Sequence, residues 1–170
     1  VKKLIFVLLL SFLLSACSTS FETTRIVDEK TNSIVVLSSP IKIHGLSQFD
    51  QFELYISFIS QQYKNKEDQY FFSIKYLGYQ FPKMDYMKLD IDGIIYESAP
   101  DRVPIFKQDG VVGYSEEVYF PVNRNIIEDI LELNRTRMTI KGYLIDVEID
   151  WKGNWIDYLK EFYIDAAKKS

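Results

Sequence analysis

The sequence is poor in the groups that enzymes and metal sites use most. It has one histidine and one cysteine in 170 residues. A zinc site needs three or four nitrogen or sulfur ligands, so one imidazole and one thiol exclude it. A lone cysteine also excludes an internal disulfide. His44 follows a predicted strand and precedes Gly45, where a histidine is more often a surface or turn residue than a catalyst. No serine sits in a G-x-S-x-G elbow. Gly110 and Gly113 stand alone, without the lysine of a phosphate-binding loop. Glycine and proline are scarce, at seven and five residues. There is no internal repeat and no low-complexity segment. No cofactor is expected, and no enzyme.

Carboxylates are plentiful, but their spacing points away from catalysis. Counted from Asp90, a calcium loop of the EF-hand type needs Gly at position 6 and Glu at 12. The chain has Gly93 at position 4 and Asp101 at 12. Asp92-Gly93 is explained by a hairpin turn instead. A different calcium site could use Asp101 and Asp109. Glu116 and Glu117 are adjacent on a predicted strand and point to opposite faces, so they are not a facing acid–base pair of the glycosidase kind.

One hydrophobic run stands out. "KKLIFVLLLSFLLSAC", residues 2–17, has Lys2 and Lys3 ahead of an apolar stretch from Leu4 to Leu14. That length suits a signal-peptide core. It is too short for a membrane-spanning helix, which needs about 20 apolar residues. Leu14-Ser15-Ala16-Cys17 resembles the lipobox of bacterial lipoproteins. The resemblance implies cleavage between Ala16 and Cys17, a diacylglyceryl group on the Cys17 sulfur, and usually an acylated new N-terminus. Several acyl chains, at about 0.8 kcal/mol per buried methylene, anchor stably where one chain does not. Ser18 rather than an aspartate after the cysteine implies the outer membrane, facing the periplasm, in a Gram-negative host. In any other host the lipobox resemblance implies the outer face of the cell membrane.

Loss of Lys2 and Lys3 would leave 18 basic against 24 acidic side chains, a net charge of −6. Without a basic cluster, such a chain is a poor nucleic-acid binder. About 150 remaining residues suit one domain. Twelve Phe, twelve Tyr and two Trp supply a core, only Phe6 and Phe12 preceding Cys17. The expected organisation is a signal peptide over 1–16, a lipid-anchored tether over 17–24, and a single globular domain over 25–170.

Period-2 patterning dominates that domain. Strands are expected at 24–29 and 33–43 around a turn at Lys30-Thr31-Asn32, with Pro40 marking a bend or an edge. "FELYISFIS" places Phe52, Leu54, Ile56 and Phe58 on one face; a helix is the less favoured reading there. "YFFSIKYLGY" alternates in the same way. "MKLDIDGIIYE", 87–97, reads as a hairpin. Residues 98–110 read as a loop and 111–122 as a strand, with two more strands over 136–142 and 144–150. Helices are expected over about 124–134 and 154–168. The first has Asn125 or Asn123 as its cap, and the second has Asn154. The fold class is therefore α+β, mostly β. An antiparallel β-sandwich-like core with two helices is favoured over a single helix-covered sheet.

One stretch is marked as a possible recognition surface: Tyr76, Tyr79, Phe81, Met84 and Tyr86, with Met87 beside them. Aromatics and methionine are enriched where partners bind. The competing reading puts these residues in the core at a strand–loop–strand corner. The functional expectation is a non-catalytic envelope lipoprotein that binds or scaffolds another envelope component. The alternatives are a glycan or small-molecule binding module, and an inhibitor or immunity protein acting against an envelope-directed enzyme.

Overall fold

The computed structural model describes residues 21–46, 51–79, 82–101, 105–108, 113–133, 135–143, 145–151 and 153–168. Residues 1–20, including Cys17, lie outside the described residues, as do Phe81 and Asp109.

Among the described residues, eleven strands form two antiparallel sheets. The larger contains β1 (Thr23–Asp28), β2 (Ser33–Ser38), β3 (Ile41–Leu46), β4 (Gln51–Tyr63), β5 (Gln69–Gly78), β8 (Ile105–Gln108) and β9 (Tyr114–Val122). Its order is β1-β2-β4-β5-β9-β8, and β3 also pairs with β4. The smaller has the order β11-β10-β6-β7, built from β6 (Met84–Ile91), β7 (Ile94–Ser98), β10 (Thr136–Gly142) and β11 (Asp146–Trp151). Among the described residues there are also two helices, α1 (Arg124–Glu132) and α2 (Asn154–Ala167).

The alternating runs set the inner face of the large sheet. Three rows of paired residues cross β4, β5 and β9: Phe58–Phe72–Phe120, Ile56–Ile74–Val118 and Leu54–Tyr76–Glu116. All nine are buried. The small sheet answers with Leu89, Ile91, Met138, Ile140 and Trp151, in the same core. Four strands cannot cover seven. Helix α2 fills the remaining width, laying Leu159, Phe162 and Ala166 into the core. The Phe58 ring meets Phe72 at 5.5 Å, Phe162 at 5.7 Å and Trp151 at 5.9 Å between centroids. Large sheet, helix and small sheet thus converge on one ring.

The expected α+β, mostly β sandwich-like core is the observed one, and the differences are local. The strand expected over 33–43 is two strands, divided at Ser39-Pro40. Both pair with the same edge of β4, β2 with Ile59–Tyr63 and β3 with Gln51–Ile56. Proline has no N–H for a ladder. At the break the Ser38 hydroxyl accepts from the Phe58 N–H at 2.8 Å. The expected loop 98–110 contains β8, a four-residue edge strand too short for its pattern to show. Asn123, not Asn125, occupies the cap position of α1, and Gly153, not Asn154, precedes α2. The hairpin turn is as read: Asp92 and Gly93 have φ of 49° and 91°, the left-handed pair of a type I′ turn. Phe21 precedes β1 and packs against the core. Its ring stacks on Tyr158 at 4.9 Å.

Candidate functional site

The stretch 76–87 does not form one surface. Tyr76 and Met84 are buried, and Tyr76 stacks on Phe52. Tyr86 is half-buried. Only Tyr79 projects, at 62% exposure, and Phe81 lies outside the described residues. The structure therefore divides the stretch between core and rim. Met84 and Met87 both face inward although they are three residues apart, because the β6–β10 register shifts at Lys141/Gly142.

Met87 has a second role. With Leu89 it lines a cleft of about 300 Å³ beside β7, the last strand of the small sheet. One wall is β7 and its exit, from Tyr96 to Ala99. The other is the end of β9 and the start of α1, with Val122, Asn123 and Ile126. Two bonds brace the walls. The Tyr96 hydroxyl donates to Asp129 of α1 at 2.8 Å, and the Ser98 hydroxyl donates to the Pro121 carbonyl at 2.8 Å. The Asp129 carboxylate holds the Tyr96 hydroxyl above its ordinary acidity range. An apolar floor under a rim of Glu97, Ser98 and Asn123 is the usual make-up of a small binding pocket. Ile94, about half exposed, lies on the same face of β7 as Tyr96, and Ile95, also about half exposed, lies on the opposite face.

The cleft was not foreseen from the sequence. Its lining comes from β6, β7, β9 and α1, and no local pattern joins them. A broader concavity of about 1370 Å³ lies nearby, between the β4–β5 turn and the first residues of α1. Its lining is mainly polar, including Lys64, Asp68 and Arg124.

Glu116, Glu117 and Asp90 are held by hydrogen bonds within the fold. Glu116 and Glu117 face opposite sides, as alternation requires. Glu117 accepts from the Ser73 and Tyr119 hydroxyls at 3.1 and 3.0 Å. Glu116 is fully buried, and both its oxygens lie 3.1 Å from the Met84 N–H. Burial pushes its carboxyl above the ordinary glutamate range, against the downward pull of the Met84 and Lys83 N–H groups. It ties β9 of one sheet to β6 of the other and is not among the residues that line the cleft. Asp90 accepts from the Gly93 N–H at 2.9 Å and so stabilises the hairpin turn. Among the described residues, no group of three or more His, Cys, Asp and Glu could hold a metal ion. His44 sits in β3 opposite Glu53, and the Asp101 N–H donates to the Tyr119 carbonyl at 3.0 Å. No helix among the described residues is long and apolar enough to cross a membrane.

Set against known protein families, curated proteins and solved structures, the chain matches none.

Proposed function

We propose that this protein is a lipid-anchored component of the bacterial envelope that binds another envelope component without chemistry of its own. The observation that carries the reading is the lipobox-like Leu14-Ser15-Ala16-Cys17 ahead of a domain whose cleft is braced by the Tyr96–Asp129 and Ser98–Pro121 hydrogen bonds. The lipid fixes the address, and the cleft beside β7 is the binding site. An extended partner segment laid along β7 would gain main-chain hydrogen bonds from the strand edge and side-chain selectivity from the cleft.

The size of the cleft favours a second reading. At about 300 Å³ it stands at the lower end of small-molecule sites, and its mixed lining suits a short glycan or a small amphipathic ligand. Photo-crosslinking in intact cells separates the readings. A crosslinker replacing Glu97 at the rim gives a discrete protein adduct if the partner is a protein. It gives a glycan or lipid-sized adduct under the second reading. One replacing Glu148 on β11 serves as the control. Equal labelling at both positions, or none at Glu97, removes the cleft as the binding site.

A further inference from the structure

The entry of the chain into the domain is clamped rather than loose. Phe21 stacks on Tyr158 of α2 with planes 8° apart. The Glu22 N–H donates to the Ser39 hydroxyl at 3.1 Å, and the Ser39 N–H returns a bond to the Glu22 carbonyl at 2.7 Å. The Thr23 hydroxyl donates to Asp165 at 2.7 Å. The Arg25 guanidinium reaches the carbonyls of Asp165 and Lys168 at the end of α2. Phe21, Glu22, Thr23 and Arg25 are therefore held to the sandwich.

Only Ser18, Thr19 and Ser20 separate Phe21 from Cys17. Four residue steps span at most about 14 Å when fully extended. The large sheet is six strands wide along its β1-to-β8 path, or roughly 24 Å at about 4.8 Å per strand. A lipid on Cys17 thus cannot leave the domain free to tumble. It draws the β1/α2 edge to the bilayer.

That edge carries its own apolar groups. Ile26 and Val27 on β1 are 48% and 72% exposed, and Ile164 on α2 is 50% exposed. A bare edge strand with β-branched side chains is an association hazard in water. Aliphatic groups on a surface element are stabilised at the headgroup–acyl boundary. We infer that the β1/α2 edge, with Ile26, Val27 and Ile164, is a lipid-surface contact, and that it presents the β7 edge and its cleft away from the membrane. The inference rests on the lipoprotein reading of Cys17.

The test uses the full lipidated protein in vesicles of phosphatidylethanolamine and phosphatidylglycerol. Fluorophores are placed singly through Val27→Cys, Ile164→Cys and Ile95→Cys, and nitroxide-headgroup lipids act as the quencher. Labels at 27 and 164 are expected to quench several-fold more than the label at 95. A flexible Gly/Ser insert between Ser20 and Phe21, ahead of the clamped residues, is expected to erase most of that difference. Equal quenching at all three positions, in protein that sediments with the vesicles, overturns the orientation and leaves the anchor standing. Label-to-label contact between copies at position 27 assigns the edge to a second copy and overturns it too. Wild-type protein that carries no lipid and stays in the supernatant overturns the lipoprotein reading, and the inference with it.

Discussion

The Glu116 carboxylate, fully buried, holds the Met84 N–H at 3.1 Å from each oxygen and so links β9 of the large sheet to β6 of the small one. It occupies the last position of the row Leu54–Tyr76–Glu116, where the two parallel rows end in Phe120 and Val118. An acid in an apolar row costs desolvation, and the amide hydrogen bonds offset it only in part.

The sign of the resulting pH dependence is fixed. Burial raises the folded-state value of Glu116 above the unfolded one. Its contribution is therefore best at acid pH and is lost as pH rises from the ordinary glutamate range through the raised value. Glu128 behaves oppositely. Donation from Tyr163, and then from Arg124, lowers it, so its contribution is present above the ordinary glutamate range and is lost as pH falls from that range through the lowered folded-state value. Glu116→Gln should flatten the loss above the ordinary range and keep an acceptor for Met84. Glu116→Ala leaves that N–H unpaired and should cost about 1–3 kcal/mol. Urea titrations of the detergent-solubilised protein across pH 4–8 read both. A wild-type protein whose stability rises steadily over that range, with Glu116→Gln unchanged from it, contradicts the assignment.

Phe58 is the point where sheet, sheet and helix meet. Phe58→Ala should cost about 3–5 kcal/mol through lost burial and the cavity left behind. Phe58→Leu should cost less, because more of the volume is kept. A drop in urea midpoint with unchanged slope is the expected form.

Two glycines separate backbone cost from steric cost. A Cβ on Gly93 meets nothing within 4 Å, but φ is 91°, so Gly93→Ala should lose about 1 kcal/mol through the left-handed backbone alone. A Cβ on Gly142 would sit 2.3 Å from the Lys83 carbonyl oxygen and 2.6 Å from that of Pro82. Gly142→Ala must push β10 away from the 82–84 segment and should be the more damaging change. Thermal melts of the two variants, side by side, give the order directly.

Filling the cleft tests binding without touching the core. Ala99 is exposed at the cleft wall. Ala99→Trp should abolish the Glu97-position crosslink and leave the melting temperature within a degree or so of wild type, as surface substitutions generally do. An undiminished crosslink would move the binding site elsewhere on the molecule.

The larger part of this fold is written in short-range pattern. Phe52, Leu54, Ile56 and Phe58 alternate and are all buried, and Asp92-Gly93 makes its turn. The Leu159, Phe162 and Ala166 stripe seats its helix. What escaped has physical causes. Pro40 splits one predicted strand because a missing N–H interrupts the ladder while the chain continues along the same neighbour. β8 is too short to show a period. The inward turn of Glu116 was available from its alternation with Val118 and Phe120, but a carboxylate on a core face runs against composition-based expectation. The cleft depends on four segments brought together by sheet topology, which residue spacing does not encode.

The account depends most on the chemistry at Cys17. Intact mass spectrometry of the protein purified from membranes of its native host measures it directly. The account predicts a chain that begins at Cys17 and carries diacylglyceryl and further acyl mass on that residue. A chain that keeps residues 1–16, with a free thiol at Cys17, would contradict it.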